Sequence, residues 1–289
     1  MLQVARLAAK LLQEASPRVI EFLRTQHQPD GGFADRSGRS DLYYTVFGLE
    51  GLLALQHPLP IEDVFRYVSS FGDGRDLDLI HLACLARCWS ILPAEMQAGC
   101  PRDAMLSRVE SCRSADGGYD AQPNRATGSL YSTFMVVGAY QDLKHTVPES
   151  ARLVEFILGL RDPARGFQQS RELPISLVPI TAGAVALLRQ LTGTPIDPTV
   201  RDWLLSCLDP QGGFRPFSDA PVPDLLSTAT ALHALSAAGL ELDVFKEPCL
   251  DFIDSLWTNR GGFYGYWDDT HVDCEYTYYA LLALGHLSL

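Results

Sequence analysis

The sequence has few basic residues for its size. Only 23 Lys and Arg stand against 35 Asp and Glu in 289 residues, so the formal net charge is −12. A surface this acidic repels the phosphates of DNA and RNA. Nucleic acid is therefore excluded as an expected partner.

Paired cysteines and long apolar runs are also missing. The seven cysteines are an odd number and contain no CxxC pair, which argues against a disulfide framework and a cysteine-only zinc site. The uncharged run from Leu173 to Leu188 is too short to span a bilayer and contains Pro174 and Pro179. The first residues carry Glu14 and have no secretory cleavage site. We expect a reduced, soluble, cytoplasmic protein with no transmembrane segment.

What the sequence does have is an internal repeat. A glycine–aromatic phrase recurs at Asp30-Gly31-Gly32-Phe33, Asp116-Gly117-Gly118-Tyr119, Arg165-Gly166-Phe167, Gln211-Gly212-Gly213-Phe214 and Arg260-Gly261-Gly262-Phe263. Each phrase is followed by an apolar run rich in Ala and Leu, and one further run, DLDLIHLACLARCWSIL, has lost its glycine phrase. The runs begin at Asp41, Asp78, Ser129, Ser176, Asp224 and Asp273, which are 37, 51, 47, 48 and 49 residues apart. Regular spacing of this size is typical of one supersecondary unit stacked repeatedly.

Each repeat is predicted to be a helix, a glycine turn and a second helix. Asp and Ser are good N-caps, because their oxygens accept the unpaired amide protons of a first helical turn. Alternating β-branched runs are nearly absent, so the fold class is all-α. Six alanine-rich inner helices and six bulkier outer helices predict an (α/α)6 barrel. We expect a single domain over residues 1–289, in which the chain ends are neighbours and the sixth repeat contacts the first.

The glycine–aromatic turn followed by an Ala/Leu-rich helix with an acidic start resembles the prenyltransferase and squalene-cyclase α-toroid superfamily. The resemblance runs from about Asp30 to the C-terminus, and GGFADRSGRSDLYYTVFGLEGLLAL looks most like the β subunits of protein prenyltransferases. It implies an apolar and aromatic lumen that holds an isoprenoid small molecule, and a separate helical partner subunit. The lining expected here consists of Phe47, Tyr131, Phe134, Tyr276, Tyr278 and Tyr279.

The resemblance points to the zinc site of protein prenyltransferases. In that site the ligands are an Asp at a helix start, a Cys two residues later and a His in the next repeat. Asp273 matches the Asp, but Glu275 stands at the Cys position and Tyr44 at the His position. Asp273 and Glu275, with His271, are the candidate metal ligands. Zinc as a cofactor therefore stays open, with no other cofactor expected.

The class II terpene cyclases of the same superfamily carry a D-x-D-D-T motif at this helix start. Aligned with it, Asp273-Cys274-Glu275-Tyr276-Thr277 puts Glu275 where the proton-donating acid would stand. A carboxyl group that faces an apolar lumen is kept protonated by desolvation. We therefore place the catalytic residues at Asp273, Glu275, Tyr276 and Tyr44, with the two tyrosines donating hydrogen bonds.

A second group of residues is expected to bind substrate. Arg36 and Arg39 would lie above helix starts and could cradle an anionic head group, although a solvated loop in which they pair with Asp35 and Asp41 is favoured over the cradle. His81 and Asp78 are spaced to form a hydrogen-bonded pair in which a buried His81 is satisfied by its neighbour. The full substrate-binding set is Arg36, Arg39, Asp41, Asp78, His81, Tyr131 and Asp224.

Three functions remain open from the sequence. The first is a prenyltransferase-like enzyme that acts on an isoprenoid, either a prenyl diphosphate or a polyprene. The second is a single-toroid terpene cyclase of the class II type with Glu275 as proton donor. The third is a non-catalytic toroid that binds a lipid or a partner.

Overall fold

The computed structural model describes all residues from Met1 to Leu289 and is built almost entirely of helices, as predicted. The only sheet is one antiparallel pair of two-residue strands. The elements are α1 Leu2–Ala5, α2 Ala9–Leu12, α3 Ser16–Gln26, β1 Phe33–Ala34, β2 Ser40–Asp41, α4 Leu42–Ala54, α5 Ile61–Ser69, α6 Leu79–Ile91, α7 Arg102–Ser111, α8 Leu130–Asp142, α9 Ser150–Gly159, α10 Val178–Thr192, α11 Pro198–Ser206, α12 Leu225–Ala237, α13 Lys246–Ser255 and α14 Cys274–Leu287. Four short 3₁₀ segments lie at Arg6–Ala8, Gln13–Ala15, Met96–Gly99 and Asp243–Phe245.

The predicted helix starts are N-caps in all but one repeat. The side chains of Asp41, Asp78, Ser129, Asp224 and Asp273 accept hydrogen bonds from first-turn amides of α4, α6, α8, α12 and α14. The prediction is wrong for Ser176, because α10 begins at Val178, and Leu177 stands at the cap position without a side-chain bond. Pro179 in the first turn explains the late start, because proline fits that turn and has no N–H to be capped.

Every glycine–aromatic phrase forms the same short bridge. The aromatic residue pairs with the residue six positions earlier, in the bridges His27–Phe33, Arg113–Tyr119, Arg161–Phe167, Leu208–Phe214 and Trp257–Phe263. In the four phrases that have two glycines, the first glycine has a positive φ, for example +97° at Gly212 and +96° at Gly261. A side chain there would also collide with the carbonyl of another helix, Pro248 for Gly212 and Arg18 for Gly261. At Gly212 and Gly261 the turn therefore needs glycine for both conformation and space.

A threonine in the following helix anchors each of these turns. The buried N–H of the aromatic residue donates to a threonine Oγ1 over 2.8–3.3 Å, in the pairs Phe33–Thr45, Tyr119–Thr133, Phe167–Thr181, Phe214–Thr228 and Phe263–Thr277. We call this contact the threonine brace. Leu82 stands at the equivalent place in α6, four residues after Asp78, so the run that lost its glycine phrase has also lost the brace.

The chain divides into two compact units, one of Met1–Leu59 with Ile196–Leu289 and the other of Pro60–Pro195. The single domain over 1–289 stays a prediction. In the first unit, α14 packs against α12 on one side and α4 on the other, and α1 packs against α14. The sixth repeat therefore contacts the first, and the two ends of the chain are neighbours, as predicted.

The second unit contains α5 to α10. Its alanine-rich helices follow the same order, with α8 packed between α6 and α10, and with α5 and α7 both against α6. No helix anywhere in the chain combines the length and the apolar character needed to cross a membrane.

Candidate functional site

The site lies in the first unit, where α4 and α14 begin side by side. Asp41 caps α4 by accepting from the amides of Tyr43 and Tyr44, and Asp273 caps α14 by accepting from the amide of Tyr276. These caps fix the first turns of both helices. The side chains of those turns therefore project from defined positions.

Glu275 is held by Tyr43. The Tyr43 hydroxyl donates to Glu275 Oε1 over 2.7 Å, and Glu275 Oε2 has no hydrogen-bond partner in the protein. The two residues occupy equivalent places, each two positions after the cap of its helix. A neutral Glu275 must carry its proton on Oε2, because Oε1 already accepts from Tyr43.

Burial raises the pKa of Glu275 to about 7. The hydrogen bond from Tyr43 works against that rise, the charge of Asp273 adds to it, and the charge of Arg36 lowers it. A carboxyl group that titrates near neutral pH can be protonated in one step of a reaction and ionised in the next.

Arg36 ties two buried aspartates together. Its Nε donates to Asp273 Oδ2 over 2.7 Å, and its Nη2 donates to Asp269 Oδ2 over 3.0 Å. Both carboxylate side chains are only 3% exposed, whereas the arginine side chain is 35% exposed. Asp269 is held further by the amides of Gly265 and His271.

The charges of this group compensate one another only in part. Burial opposes the charged form of Arg36, but the hydrogen bond with Asp273 and the charges of Asp273 and Asp269 outweigh it and raise the pKa of Arg36. Burial raises the pKa of Asp273, and the Tyr276 amide and Arg36 oppose that rise. One guanidinium between two carboxylates leaves the group with a net charge of about −1.

The predicted anion cradle is not assembled. Arg36 points its donors at Asp269 and Asp273, a pairing that differs from both sequence alternatives. Arg39 does lie in a solvated loop, where its side chain is 82% exposed and pairs with Asp35 over 3.8 Å. The two arginines therefore do not converge on one anion, because the nearest acidic groups engage each of them separately.

Tyr44 and Tyr276 surround the charged group. The ring of Tyr276 lies under Arg36, with the guanidinium carbon 5.4 Å from the ring centroid. Gly265 allows this arrangement, since a Cβ there would come within 2.5 Å of the Tyr276 ring. Burial, with the charges of Asp273 and Glu275, raises the pKa of Tyr44 to about 12. Burial also raises the pKa of Tyr276, so both tyrosines are neutral at physiological pH.

Asp224 is a cap with no oxygen to spare. Its Oδ1 accepts from the amide of Ser227 and its Oδ2 from the hydroxyl of the same residue. Burial raises its pKa. Its charge contributes to the raised pKa of Tyr276, so it belongs to the surroundings of the site.

Aromatic rings continue from Tyr43 into the helices. The centroid of Phe47 is 5.0 Å from that of Tyr43, 5.8 Å from Tyr278 and 5.4 Å from Tyr279. We call Tyr43, Phe47, Tyr278 and Tyr279 the aromatic cluster. Tyr278 is buried and is core, whereas the other three are half-buried and keep accessible surface.

Four residues that the sequence predicts for substrate binding or for the lining lie in the second unit: Asp78, His81, Tyr131 and Phe134. His81 Nδ1 is 2.7 Å from Asp78 Oδ2, and its amide donates to Asp78 Oδ1, so the expected pair forms. The expectation that His81 is buried is wrong: the side chains of His81 and Asp78 are 34% and 57% exposed. Tyr131 and Phe134 lie on α8.

The residues do not fit a zinc ion. The described chain contains no group of three or more His, Cys, Asp and Glu placed to hold a metal. His271 is exposed, and its ring pairs with the Thr270 hydroxyl. Asp273 already accepts from an amide and from Arg36. The predicted set of Asp273, Glu275 and His271 therefore does not fit a metal ion, because the three side chains are not grouped around one point and each oxygen of Asp273 already accepts a hydrogen bond.

Two residues of this site, Tyr43 and Asp269, were not predicted from the sequence. Alignment with the histidine position selected Tyr44, whereas its neighbour Tyr43 contacts Glu275. Tyr43 and Glu275 each stand two positions after the N-cap of their helix, in the first and the sixth repeat. That equivalence was the sequence signal that could have indicated their contact. Asp269 was not among the candidate residues, and nothing in the sequence indicates that Arg36 reaches it.

Comparison with known proteins agrees with the repeat. A family model described as the prenyltransferase alpha-alpha toroid domain matches residues 10–86, 86–175 and 174–288. No curated protein sequence matches the chain.

Three solved structures illustrate the fold. Protein geranylgeranyltransferase-I of Candida albicans, complexed with GGPP, is 15% identical over 92% of this chain and 89% of that chain, with a TM-score of 0.72. The type II terpene cyclase MstE of Scytonema, as an aspartate-to-asparagine variant in complex with geranylgeranyl dihydroxybenzoate, is 12% identical over 97% of each chain, with a TM-score of 0.63. An inactive variant of the α-1,6-mannanase GH76A of Salegentibacter is 13% identical over 95% of this chain and 98% of that chain, with a TM-score of 0.64.

At these identities the solved structures bear on the fold alone, whereas the family model covers nearly all of the sequence. The chain belongs to the prenyltransferase α/α toroid family, and its fold is an α/α toroid.

Proposed function

We propose that the protein is an isoprenoid cyclase of the type II kind, in which Glu275 protonates a polyprene. The observation that carries the proposal is the Tyr43–Glu275 hydrogen bond of 2.7 Å, which leaves Oε2 without a partner next to the aromatic cluster. A proton donor to carbon has to be neutral before the reaction. The pKa of Glu275, raised by burial to about 7, meets that condition.

The reaction begins with transfer of the proton from Glu275 Oε2 to a terminal alkene carbon. The π electrons form the new C–H bond, and the other alkene carbon becomes a tertiary cation. Attack by successive double bonds then closes rings. The last cation loses a proton to solvent, and the electrons of that C–H bond form a new double bond. Solvent returns one proton to the Glu275 carboxylate, so the protein is unchanged after each turnover.

Tyr43 and the aromatic cluster act on the charges that this step creates. The Tyr43 hydroxyl stabilises the carboxylate that remains, which makes Glu275 a stronger acid at the moment of transfer. The half-buried faces of Phe47 and Tyr279 are suited to a hydrocarbon chain and to a nearby cation. Both effects lower the energy of the ion pair formed in the first step.

Prenyl transfer, the function that the sequence resemblance puts first, has less support from the site. A diphosphate would approach the buried pair Asp269 and Asp273, whose net charge with Arg36 is about −1. The zinc ligands are not assembled either. A separate helical partner subunit belongs to this alternative. A terpene cyclase can have this fold and a similar chain length, because the match with MstE covers 97% of each chain.

In the test, the purified protein is incubated with geranylgeraniol or squalene, which are neutral polyprenes. The incubations are done in H₂O and in D₂O. We expect cyclised products by gas chromatography and mass spectrometry. In D₂O each product should gain one deuterium from the initiating acid. Glu275→Gln should lower the rate at least about 100-fold, and Tyr43→Phe about tenfold.

Glu155→Gln on α9 is the matched control, because it removes an exposed glutamate and should leave the rate unchanged. Release of diphosphate from geranylgeranyl diphosphate, with no cyclised product, would replace the proposal by prenyl transfer. A polyprene that binds and is recovered unchanged would replace it by the non-catalytic binder.

A further inference from the structure

The strongest feature outside the proposed chemistry is the way in which Asp269 and Asp273 are satisfied. Asp273 Oδ1 accepts from the Tyr276 amide over 2.9 Å, and Oδ2 accepts from Arg36 Nε over 2.7 Å. Both oxygens accept from N–H groups, which is the pattern of an ionised carboxylate. Arg36 is therefore the cation that Asp273 already contacts.

Asp269 is engaged in the same way. Its Oδ1 accepts from the His271 amide over 3.0 Å and faces Arg36 Nη1 at 3.4 Å. Its Oδ2 accepts from the Gly265 amide over 3.2 Å and from Arg36 Nη2 over 3.0 Å. The three nitrogens of one guanidinium therefore contact three of the four oxygens of this carboxylate pair.

The loop that carries Arg36 is built to hold it in place. Strands β1 and β2 pair on either side, and the Asp35 amide donates to the Arg39 carbonyl over 2.7 Å. Asp35 Oδ1 accepts from the amides of Ser37 and Arg39 inside the loop. The ring of Tyr276 supports the guanidinium from below at 5.4 Å. The arginine is thus positioned by its own loop as well as by its partners.

Two buried carboxylates need a cation nearby, because an unpaired buried charge is strongly destabilising. A divalent metal ion or a guanidinium can meet that need. Here the guanidinium reaches both carboxylates and also joins the loop before α4 to the loop before α14. Arg36 balances the two carboxylates and joins the two loops, while Glu275 stays hydrogen-bonded to Tyr43.

We infer that Arg36 is the resident cation of this site, so that the protein keeps Asp269 and Asp273 in place without zinc. Asp273, the position that matches a metal ligand in the family resemblance, is held here in an ion-pair network with Arg36 and Asp269. Arg36 is a positioning residue in this role, because it acts through the two aspartates. The inference concerns metal content and stability, and it does not depend on the reaction that Glu275 performs.

The test begins with tag-free wild-type protein, incubated with excess zinc chloride, passed through gel filtration and analysed for zinc. We expect substoichiometric zinc, and the same melting temperature with zinc and with EDTA. Arg36→Gln removes the charge and should lower the melting temperature by about 10 °C. Adding Asp273→Asn to that variant should recover part of the loss, because one of the two unpaired buried charges is then gone.

Arg36→Lys is the conservative control. A lysine keeps the positive charge but cannot bridge both carboxylates, so its melting temperature should lie between those of wild type and Arg36→Gln. One zinc ion per wild-type chain that is lost in Asp273→Asn would overturn the inference. So would an Arg36→Gln variant that melts like wild type. If Arg36→Gln does not fold, an unchanged melting temperature in Arg36→Lys overturns it instead.

Discussion

Glu275 shows how neighbouring side chains set the chemistry of one residue. Burial favours its neutral form and raises its pKa to about 7, while the Tyr43 hydroxyl favours the carboxylate. Asp273 adds repulsion, and Arg36 partly offsets it. These opposing effects leave a carboxyl group that changes its protonation state near neutral pH, which an exposed glutamate does not do.

The raised pKa gives a pH dependence with a definite sign. The folded protein binds the Glu275 proton more tightly than the unfolded chain, so this contribution to stability is complete below pH 4.5, is lost between pH 4.5 and about 7, and stays lost above. Glu275→Gln removes the loss. Relative to wild type, we expect the variant to be more stable at pH 8 than at pH 5 by about 1–3 kcal/mol, measured by urea unfolding.

Glu155→Gln serves as the control here too, since the differing residue is exposed on α9. A difference between wild type and Glu275→Gln that is equal at pH 5 and pH 8 would contradict the raised pKa. Activity should follow the same titration, because only the neutral acid can donate, and should fall as the pH rises through about 7.

Sequence reasoning found Glu275 at this scale but not its partner. Tyr43 and Tyr44 are adjacent on α4 and differ by about 100° around the helix axis. Which of them meets Glu275 depends on the rotation of α4 against α14, and composition and spacing do not contain that rotation. The contact of Arg36 with Asp269 depends on two loop conformations and was out of reach for the same reason.

Among the elements, α14 makes a very close approach to the start of the chain. A Cβ at Gly285 would lie 2.1 Å from the carbonyl oxygen of Val4 on α1. Gly285→Ala must therefore push α1 away from α14 or strain the helix. We expect a loss of about 1–3 kcal/mol in unfolding free energy, and faster proteolysis within the N-terminal helices.

Gly138→Ala on α8 is the matched control for this change. Gly138 is also inside a helix, but a Cβ there meets only the Arg87 side chain at 3.9 Å, which is an ordinary contact. Alanine should then stabilise the protein by about 0.5–1 kcal/mol through helix propensity. If both variants are stabilised, α1 does not pack against α14 as described.

The helices and turns were largely predictable, because the repeats contain recognisable turn residues and N-cap residues. The exception at Ser176 is instructive. The threonine of the brace, Thr181, lies five residues after Ser176 but four after Leu177, the spacing that Thr45 and Thr228 have from their caps. Counting back from the threonine would have placed the start of α10 correctly, whereas residue type alone did not.

For the whole molecule, the site is assembled from distant parts of the chain. Tyr43 and Glu275 are 232 positions apart, and Arg36 and Asp273 are 237 apart. Their meeting follows from the contact of the sixth repeat with the first, which the repeat count predicted. The charge of the assembled site was not predicted, because the two arginines were free to pair in several ways.

The net charge of −12 should influence which isoprenoid binds. We expect geranylgeraniol to bind about tenfold more tightly than geranylgeranyl diphosphate at low salt, with the difference shrinking as salt screens the repulsion. Quenching of intrinsic fluorescence measures both affinities. Tighter binding of the diphosphate, weakened by Arg39→Ala, would contradict this and restore the anion cradle.

The threonine brace has one further consequence. Five turns each bury a single aromatic amide proton whose acceptor lies in the next helix, so that proton exchanges with solvent only when its own turn separates from its own helix. The amides of Phe33, Tyr119, Phe167, Phe214 and Phe263 are therefore built-in reporters of local opening, one for each repeat that has the brace. A ligand held by α4 and α14 should slow exchange at Phe33 and Phe263 first.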